Sequence, residues 1–246
     1  MTNGTPLTSV TTMSAPLIKS MVVDIEADYE EPFALSSAQY GMWLSQQLHP
    51  AATHSVAHYM EIRGPLDIPL LGQATRMAAI ETGSLYTRLL PPTDVGGVAT
   101  PVRQILDLSE DTDQFNVVDL TMEADPIESA HAWMNAEFTA PIDLYRDVLC
   151  AAAILTVGVD HHLWYARAHH VVIDGYGSAV IAMRTAEIYT HLQRGDTPPP
   201  AASRHPRAFI TAEETYRSST RIERDRKYWE QVATELPEPV SIAEVL

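Results

Sequence analysis

The sequence has little cysteine and little positive charge, and each shortage excludes a class of protein. Its only cysteine is Cys150, which lies in an apolar run, so an internal disulfide is impossible and we interpret it as a small core residue. Lysine and arginine number 16 against 32 aspartates and glutamates, which gives a net charge of -16. Such a surface repels nucleic-acid phosphates and anionic lipids, so we expect neither nucleic acid nor a membrane as partner.

Continuous apolar stretches long enough to span a bilayer are also missing, and residues 1–23 lack the pattern of a secretory signal. We therefore expect a cytoplasmic protein. Hydrophobic residues make up 46% of the 246 positions, enough for a large globular core. Residues 1–31 are rich in threonine, serine and proline without sustained periodicity, which predicts a flexible leader before a domain over 32–246.

Hydrophobic periodicity predicts a mixed α/β fold, with helices packed on a central sheet. The predicted helices start at a proline or follow a cap, which is Asp67, Ser178 or one of the serines at 36 and 37. They cover residues 68–82, 126–138, 178–193 and 206–234, and the first helix carries Tyr40, Trp43 and Leu44 and stops before Pro50. The predicted strands cover residues 55–63, 84–90, 101–106, 115–119, 148–157 and 162–169. The last two are separated by residues 158–161, which predicts a hairpin in the centre of the sheet.

The chemistry-bearing residues follow the strand at 162–169, in the run His-His-Val-Val-Ile-Asp-Gly over residues 169–175. An imidazole at the end of a central strand lies where loops form a cleft, and it can relay a proton at neutral pH. Gly175 allows close backbone approach, and its amide near a helix N-terminus can donate to a developing oxyanion. Because neighbouring strand residues point to opposite faces, only one of His169 and His170 can line the pocket. The residues alone leave open that both are ordinary sheet histidines.

The pattern His169-His170-x-x-x-Asp174-Gly175 resembles the signature of condensation domains of nonribosomal peptide synthetases, which have the chloramphenicol acetyltransferase-like fold. Residues 35–43 are similar to the first motif of that family, and residues 164–170 resemble the opening domains of enterobactin-type siderophore synthetases. The resemblance begins near residue 32 and covers only the first lobe of a larger, two-lobed domain. It therefore implies an N-terminal lobe over 32–246, with the second lobe absent.

The resemblance also implies roles for the motif residues. His170 would be the catalytic histidine, and Gly175 would form part of the turn beside the reacting thioester. His169 would pack behind the strand. Asp174 would be structural, held by a salt bridge to an arginine.

One position departs from the family pattern, because Tyr86 stands where the arginine partner of Asp174 is expected. A buried carboxylate that has lost its partner is costly, so we expect Asp174 to find another donor. Arg88 and Arg167 are the candidates. Full activity is in question for the same reason.

The function implied by the resemblance is amide-bond formation between a carrier-bound donor acyl thioester and a carrier-bound aminoacyl acceptor. Donor and acceptor carrier domains would be the partners, with an adenylation domain adjoining. The phosphopantetheine cofactor would arrive on the carriers, so the domain itself would bind no cofactor and no metal.

Several alternatives remain beside this reading. The histidine pairs at 161–162 and 169–170 suggest a metal site, although no matching ligand cluster accompanies them. A serine or cysteine hydrolase is disfavoured, since the sequence has no Gly-x-Ser-x-Gly elbow and Cys150 lacks a polar setting. A catalytically impaired module that binds a carrier or recruits a partner enzyme is the main competitor. A further alternative is a relative that forms esters with a soluble alcohol.

Overall fold

The computed structural model describes residues 32–95, 98–99, 102–106, 115–201 and 206–237. The leader predicted over residues 1–31 lies outside this range. The chain divides into one unit that ends at Pro206 and a second that begins at Arg207, and each is described by itself. No helix in the described ranges is long and apolar enough to cross a membrane.

The elements alternate between helix and strand along most of the chain. The helices are α1 (Ser37–Leu48), α2 (Ile68–Thr82), α3 (Pro126–Thr139), α4 (Gly175–Arg194), α5 (Pro206–Arg217) and α6 (Thr220–Thr234). The strands are β1 (Phe33–Ala34), β2 (Ser55–Arg63), β3 (Thr87–Leu90), β4 (Asp94–Val95), β5 (Val98–Ala99), β6 (Arg103–Leu106), β7 (Phe115–Asp119), β8 (Cys150–Gly158) and β9 (His161–His169).

The main sheet has four strands in the order β2-β9-β8-β7. β8 and β9 form the predicted hairpin, with Gly158 opposite His161 and a left-handed residue, Asp160, at φ 52° in the two-residue turn. β9 also pairs along its whole length with β2, from Ser55 opposite His169 to Arg63 opposite His161. β7 pairs with β8 in parallel, across a connection that contains α3. β9 is therefore an interior strand.

Helices cover both faces of this sheet. On one face Leu71 of α2 packs with Ile154 and Trp164 of the sheet, and α2 in turn packs on α4 through Met77 and Ile188. On the other face α3 packs through Ala130 and Met134 against Leu155, Leu163 and Tyr165. Successive residues of β9 alternate between these two layers, as the period of a strand requires.

A smaller antiparallel sheet, in the order β1-β6-β3, lies beside the end of β9 that carries the motif. The residues that follow β9 share a core cluster with both this sheet and α1, through Val171, Leu89 and Trp43. The two-residue strand β1 and the short hairpin β4–β5 carry too few residues for periodicity to reveal, and the sequence did not predict them.

The strand predicted over residues 84–90 is wrong in its first half. Gly83 ends α2 with φ 69°, and its carbonyl accepts from the Tyr86 amide at 3.1 Å, which winds Ser84–Tyr86 into a 3-10 turn. The strand proper starts at Thr87.

Two helix boundaries also differ from prediction. α4 begins at Gly175 and is capped by Asp174, whereas Ser178 had been predicted as its cap. The helix predicted over 206–234 is two helices, because it breaks at Ser218 and Ser219. Both serine hydroxyls donate to carbonyls of the preceding turn, in competition with the helical ladder.

Candidate active site

His169 and His170 point to opposite sides of the sheet, as the strand period predicts. His169 is 1% exposed, and its Nδ1 accepts a hydrogen bond from the Val171 amide at 3.1 Å. The proton therefore sits on Nε2, which faces the Gln46 Oε1 at 3.3 Å. Burial, with the nearby His54 and His170, lowers the pKa of His169 to about 4. His169 is thus a neutral, buried ring whose two hydrogen bonds stabilise the end of β9.

His170 is exposed and is held by two bonds. Its amide donates to the His54 carbonyl at 2.8 Å, which extends the β2–β9 pairing by one residue. Its Nδ1 lies 3.1 Å from the Ile173 carbonyl oxygen. A carbonyl only accepts, so Nδ1 carries the proton and Nε2 of the neutral ring keeps its lone pair. The ring is thus oriented as a proton acceptor that presents Nε2.

Asp174 and Gly175 form the start of α4. The Asp174 carboxylate is exposed and accepts from the Gly177 amide at 2.7 Å, as an N-cap does. Gly175 is the first residue of the helix, where amides have no partner within the helix. A Cβ added to Gly175 would meet no atom within 4 Å, whereas one added to Gly177 would lie 2.8 Å from Ile173 Cγ1.

Arg167, one of the two arginines expected to support Asp174, is bonded to a different carboxylate. Arg167 is 8% exposed and pairs with Glu137 of α3, with Nε 3.0 Å from Oε1. Tyr165 donates to the same carboxylate at 2.6 Å. Arg88 is exposed on β3. Asp174 is exposed, and the donor it finds is the backbone amide of Gly177 in the first turn of α4.

Tyr86 therefore does not leave a defect in the site. Its ring packs with Ala79 and Ile80, and burial raises the pKa of its hydroxyl to about 12. Cys150, expected in the core, lies nearby on β8, where its thiol donates to the Leu85 carbonyl at 3.3 Å. Burial raises the pKa of that thiol to about 11, which keeps it protonated and unreactive at neutral pH.

A glutamine pair supports the motif loop and was missed by the sequence analysis. Gln39 and Gln104 exchange amide hydrogen bonds at 2.9 Å, and Gln39 also donates to the Val171 carbonyl at 3.1 Å. The Oε1 of Gln39 accepts from the Ser36 amide at 3.0 Å, which completes a capping box on α1. The three-residue spacing from Ser36 to Gln39 is that of a capping box and could have pointed to Gln39. No sequence pattern pointed to Gln104.

The histidine pairs do not form a metal centre in the described part of the chain. His161 bonds to Glu61 at 2.7 Å, and His162 faces the Thr156 hydroxyl at 3.1 Å. No group of three or more His, Cys, Asp or Glu side chains suited to a metal ion was found among the described residues.

Comparison with known proteins decides the family. Residues 29–245 match the sequence model of the Condensation domain family. The chain belongs to the condensation domains. It is 35% identical over 213 residues to a dimodular nonribosomal peptide synthase of Bacillus subtilis, and 32% identical over 215 residues to enterobactin synthase component F of Escherichia coli. These alignments cover 86% and 85% of this chain.

Solved condensation domains have the same fold. The starter condensation domain of rhizomide synthetase RzmA superposes with a TM-score of 0.75 at 32% identity, over 85% of this chain. The first condensation domain of the CDA synthetase gives 0.72 at 34% identity, over 87% of this chain. The chain spans about half of each of those structures, and 9% and 16% of the two synthetases. The expected fold class, a mixed α/β lobe of chloramphenicol acetyltransferase type, is confirmed.

Proposed function

We propose that this condensation domain joins a donor acyl group to the amine of an aminoacyl thioester, with both substrates delivered on carrier proteins. The observation that carries the proposal is the orientation of His170, which is exposed and fixed through Nδ1 so that Nε2 is presented as a proton acceptor. Membership of a family of peptide-synthetase acyltransferases supports the same reaction.

The reaction needs no activation by metal or nucleotide, because a thioester is already an activated acyl group. The amine attacks the thioester carbonyl, the C–N bond forms, and the nitrogen gives up a proton to Nε2 of His170. The C–S bond then breaks, and the proton passes to the leaving thiolate. Such proton handling contributes typically ~10²- to 10⁴-fold in rate.

Gly175 serves the same step from the other side of the loop. Its amide is one of the unpaired donors at the N-terminus of α4, where the helix dipole favours negative charge. It would donate to the oxyanion that forms on the thioester carbonyl, an interaction worth about 2.7 to 4 kcal/mol in other enzymes. Space beside Gly175 lets the thioester approach the backbone.

The partners follow from this chemistry. We propose a donor and an acceptor carrier domain, each bringing its substrate on a phosphopantetheine arm, and an adjoining adenylation domain that supplies the acceptor. The product would belong to siderophore or other secondary-metabolite biosynthesis, in keeping with its likeness to enterobactin synthase component F. The single cysteine agrees with a cytoplasmic location.

The test is intact-protein mass spectrometry of an acceptor carrier, mixed with an acyl-loaded donor carrier and the natural polypeptide that contains this chain. A panel of acyl groups and amino acids is loaded on the two carriers. We expect the donor mass to move onto the acceptor with the unmodified protein. His170→Ala should reduce the transfer at least 100-fold.

His131→Ala is the matched control, because His131 is an exposed histidine on α3, on the other face of the sheet from the motif helix. It should transfer at the normal rate. If no acyl group moves with any pair of substrates, or if His170→Ala matches the unmodified protein, catalysis at this loop is excluded.

A further inference from the structure

The histidine just before β2, His54, has a hydrogen bond at each of its two ring nitrogens. Its Nδ1 lies 3.0 Å from the Ala52 carbonyl oxygen, and its Nε2 lies 2.9 Å from the Ser45 hydroxyl of α1. A carbonyl only accepts, so Nδ1 carries the proton, and Nε2 of the neutral ring accepts from the hydroxyl. Ser45 and His54 therefore form a link, the α1 link, between the helix and the connection over residues 49–54 that leads into β2.

The backbone of the same histidine holds the proton acceptor of the site. The His54 carbonyl accepts from the His170 amide at 2.8 Å. His54 lies one residue before β2, whose pairing with β9 ends at Ser55 opposite His169. The ladder of the two strands does not include His54, so the two bonds of its ring are the restraints that fix this carbonyl in place.

The two neighbours of His170 in the motif are bonded to α1 directly. The Oε1 of Gln46 lies 3.3 Å from Nε2 of His169, and the Gln39 amide donates to the Val171 carbonyl at 3.1 Å. Among the described residues, His170 itself makes no hydrogen bond to α1, and the α1 link supplies the connection. Three successive residues of the motif are thus supported by one helix, and the middle one is reached through a second histidine.

We propose that His54 is a positioning residue for acyl transfer. Its carbonyl holds the backbone of His170, and its ring, bonded to Ser45, holds that carbonyl where Nε2 of His170 meets the attacking amine. The inference rests on the proposed function, because His54 acts on the group that is the proton acceptor there. A positioning residue acts on the chemical step, so its loss should lower kcat and leave KM unchanged.

The experiment measures acyl transfer between loaded carriers by the natural polypeptide, with His54→Ala, Ser45→Ala and the double variant. We expect kcat to fall about tenfold for His54→Ala, the effect of a small displacement of a reacting group, with KM for both carriers unchanged. Ser45→Ala should change kcat in the same direction. The double variant should transfer at the rate of His54→Ala alone, because two residues that act as one unit have non-additive effects.

His54→Gln is the rescuing variant, because its side-chain oxygen can reach the place of Nε2 and accept from the Ser45 hydroxyl. It should recover most of the lost kcat. His49→Ala is the matched control, because His49 is an exposed histidine of the same connection. It should transfer at the normal rate. Full kcat with His54→Ala, or an equal loss with His49→Ala, overturns the proposal while leaving the transfer reaction in place.

Hydrogen–deuterium exchange separates the two possible failures, because it needs no turnover. Mass spectrometry of the same polypeptides follows a peptide that covers residues 168–174, next to one from β8. We expect the His170 amide to exchange faster in His54→Ala, with the β8 peptide unchanged. If the unmodified protein transfers no donor, the proposed function fails, and this local change would still support the positioning role. Unchanged exchange at His170, or an equal increase in β8, overturns it, since His54 would then have no specific effect on the motif.

Discussion

The Nδ1 atom of His170 lies 3.1 Å from the carbonyl oxygen of Ile173, three residues further along the same loop. The residue that presents the reacting nitrogen is therefore oriented by its own backbone. The conformation of the loop over residues 170–174 therefore determines the orientation of the His170 ring. Substitutions that move the loop should affect the reaction without touching the histidine.

Gly177→Ala is the sharpest test of that dependence. The added Cβ would lie 2.8 Å from Ile173 Cγ1 and 3.2 Å from Asp174 Oδ1, so the loop must move. We expect acyl transfer to fall by about 10- to 100-fold, since small displacements of a reacting group have effects of this size. Gly41→Ala, which meets no atom within 4 Å, should transfer normally. Normal transfer by Gly177→Ala would show that the loop tolerates the shift.

Substitutions of Asp174 should separate its capping role from its charge. Asp174→Ala removes the acceptor for the Gly177 amide and should lower the free energy of unfolding by about 1 kcal/mol. Asp174→Asn keeps an oxygen at the same place and should lower the free energy of unfolding by only about a few tenths of 1 kcal/mol. Urea denaturation followed by tryptophan fluorescence measures both. Equal losses for the two variants would mean that the carboxylate acts through its charge, as in a salt bridge.

Removal of the Gln39 amide should destabilise the motif loop. Gln39→Leu leaves the Val171 carbonyl and the Oε1 of the fully buried Gln104 without the donor that Gln39 supplies, at a cost of about 2 to 3 kcal/mol. Gln47→Leu, at an exposed position of the same helix, should change the free energy of unfolding by less than about 0.5 kcal/mol. If the two variants unfold at the same urea concentration, the glutamine pair does not hold the loop.

Acid should destabilise the protein through His169. Its folded pKa of about 4 lies below the ordinary value of 6.5, so the unfolded chain binds the extra proton between these limits. The free energy of unfolding should therefore fall as the pH decreases from 6.5 to 4, with His169 contributing on the order of 2 to 3 kcal/mol.

His169→Gln supplies the comparison, because other histidines, such as the half-buried His58, have their pKa shifted in the same direction. The difference between the two pH profiles isolates His169. The profile of the variant should be flatter between pH 6.5 and 4. Parallel profiles would show that His169 is protonated in the folded state at pH 5.

Local signals in the sequence located most elements and part of the site. The Asp67 cap was predicted correctly, and so was a serine cap on the first helix, because each precedes an apolar helical face and has its partner amide within three residues. The same logic failed at α4, where Asp174 and Ser178 were both plausible caps and the carboxylate had been given a different role. At residues 84–86, the left-handed turn at Gly83 overrode a strand-like run of side chains.

The contacts that the sequence did not reveal are those between distant residues. Glu137 and Arg167 are 30 positions apart, and Gln39 and Gln104 are 65 apart, so no periodicity connects either pair. The strand period places Arg167 on the same side of the sheet as His169, opposite His170. Its partner depended on how α3 packs on the sheet, which is a tertiary contact.

The interior position of β9 has a consequence for motion. Both edges of this strand are hydrogen-bonded along its length, to β2 and to β8, and the His170 amide extends the β2 pairing. The strand cannot fray without separating the sheet, so amides such as those of Ala166 and Ala168 should exchange with deuterium only on global unfolding. The imidazole of His170 thus directly follows the slowest-exchanging strand of the lobe, and its backbone amide shares in that protection.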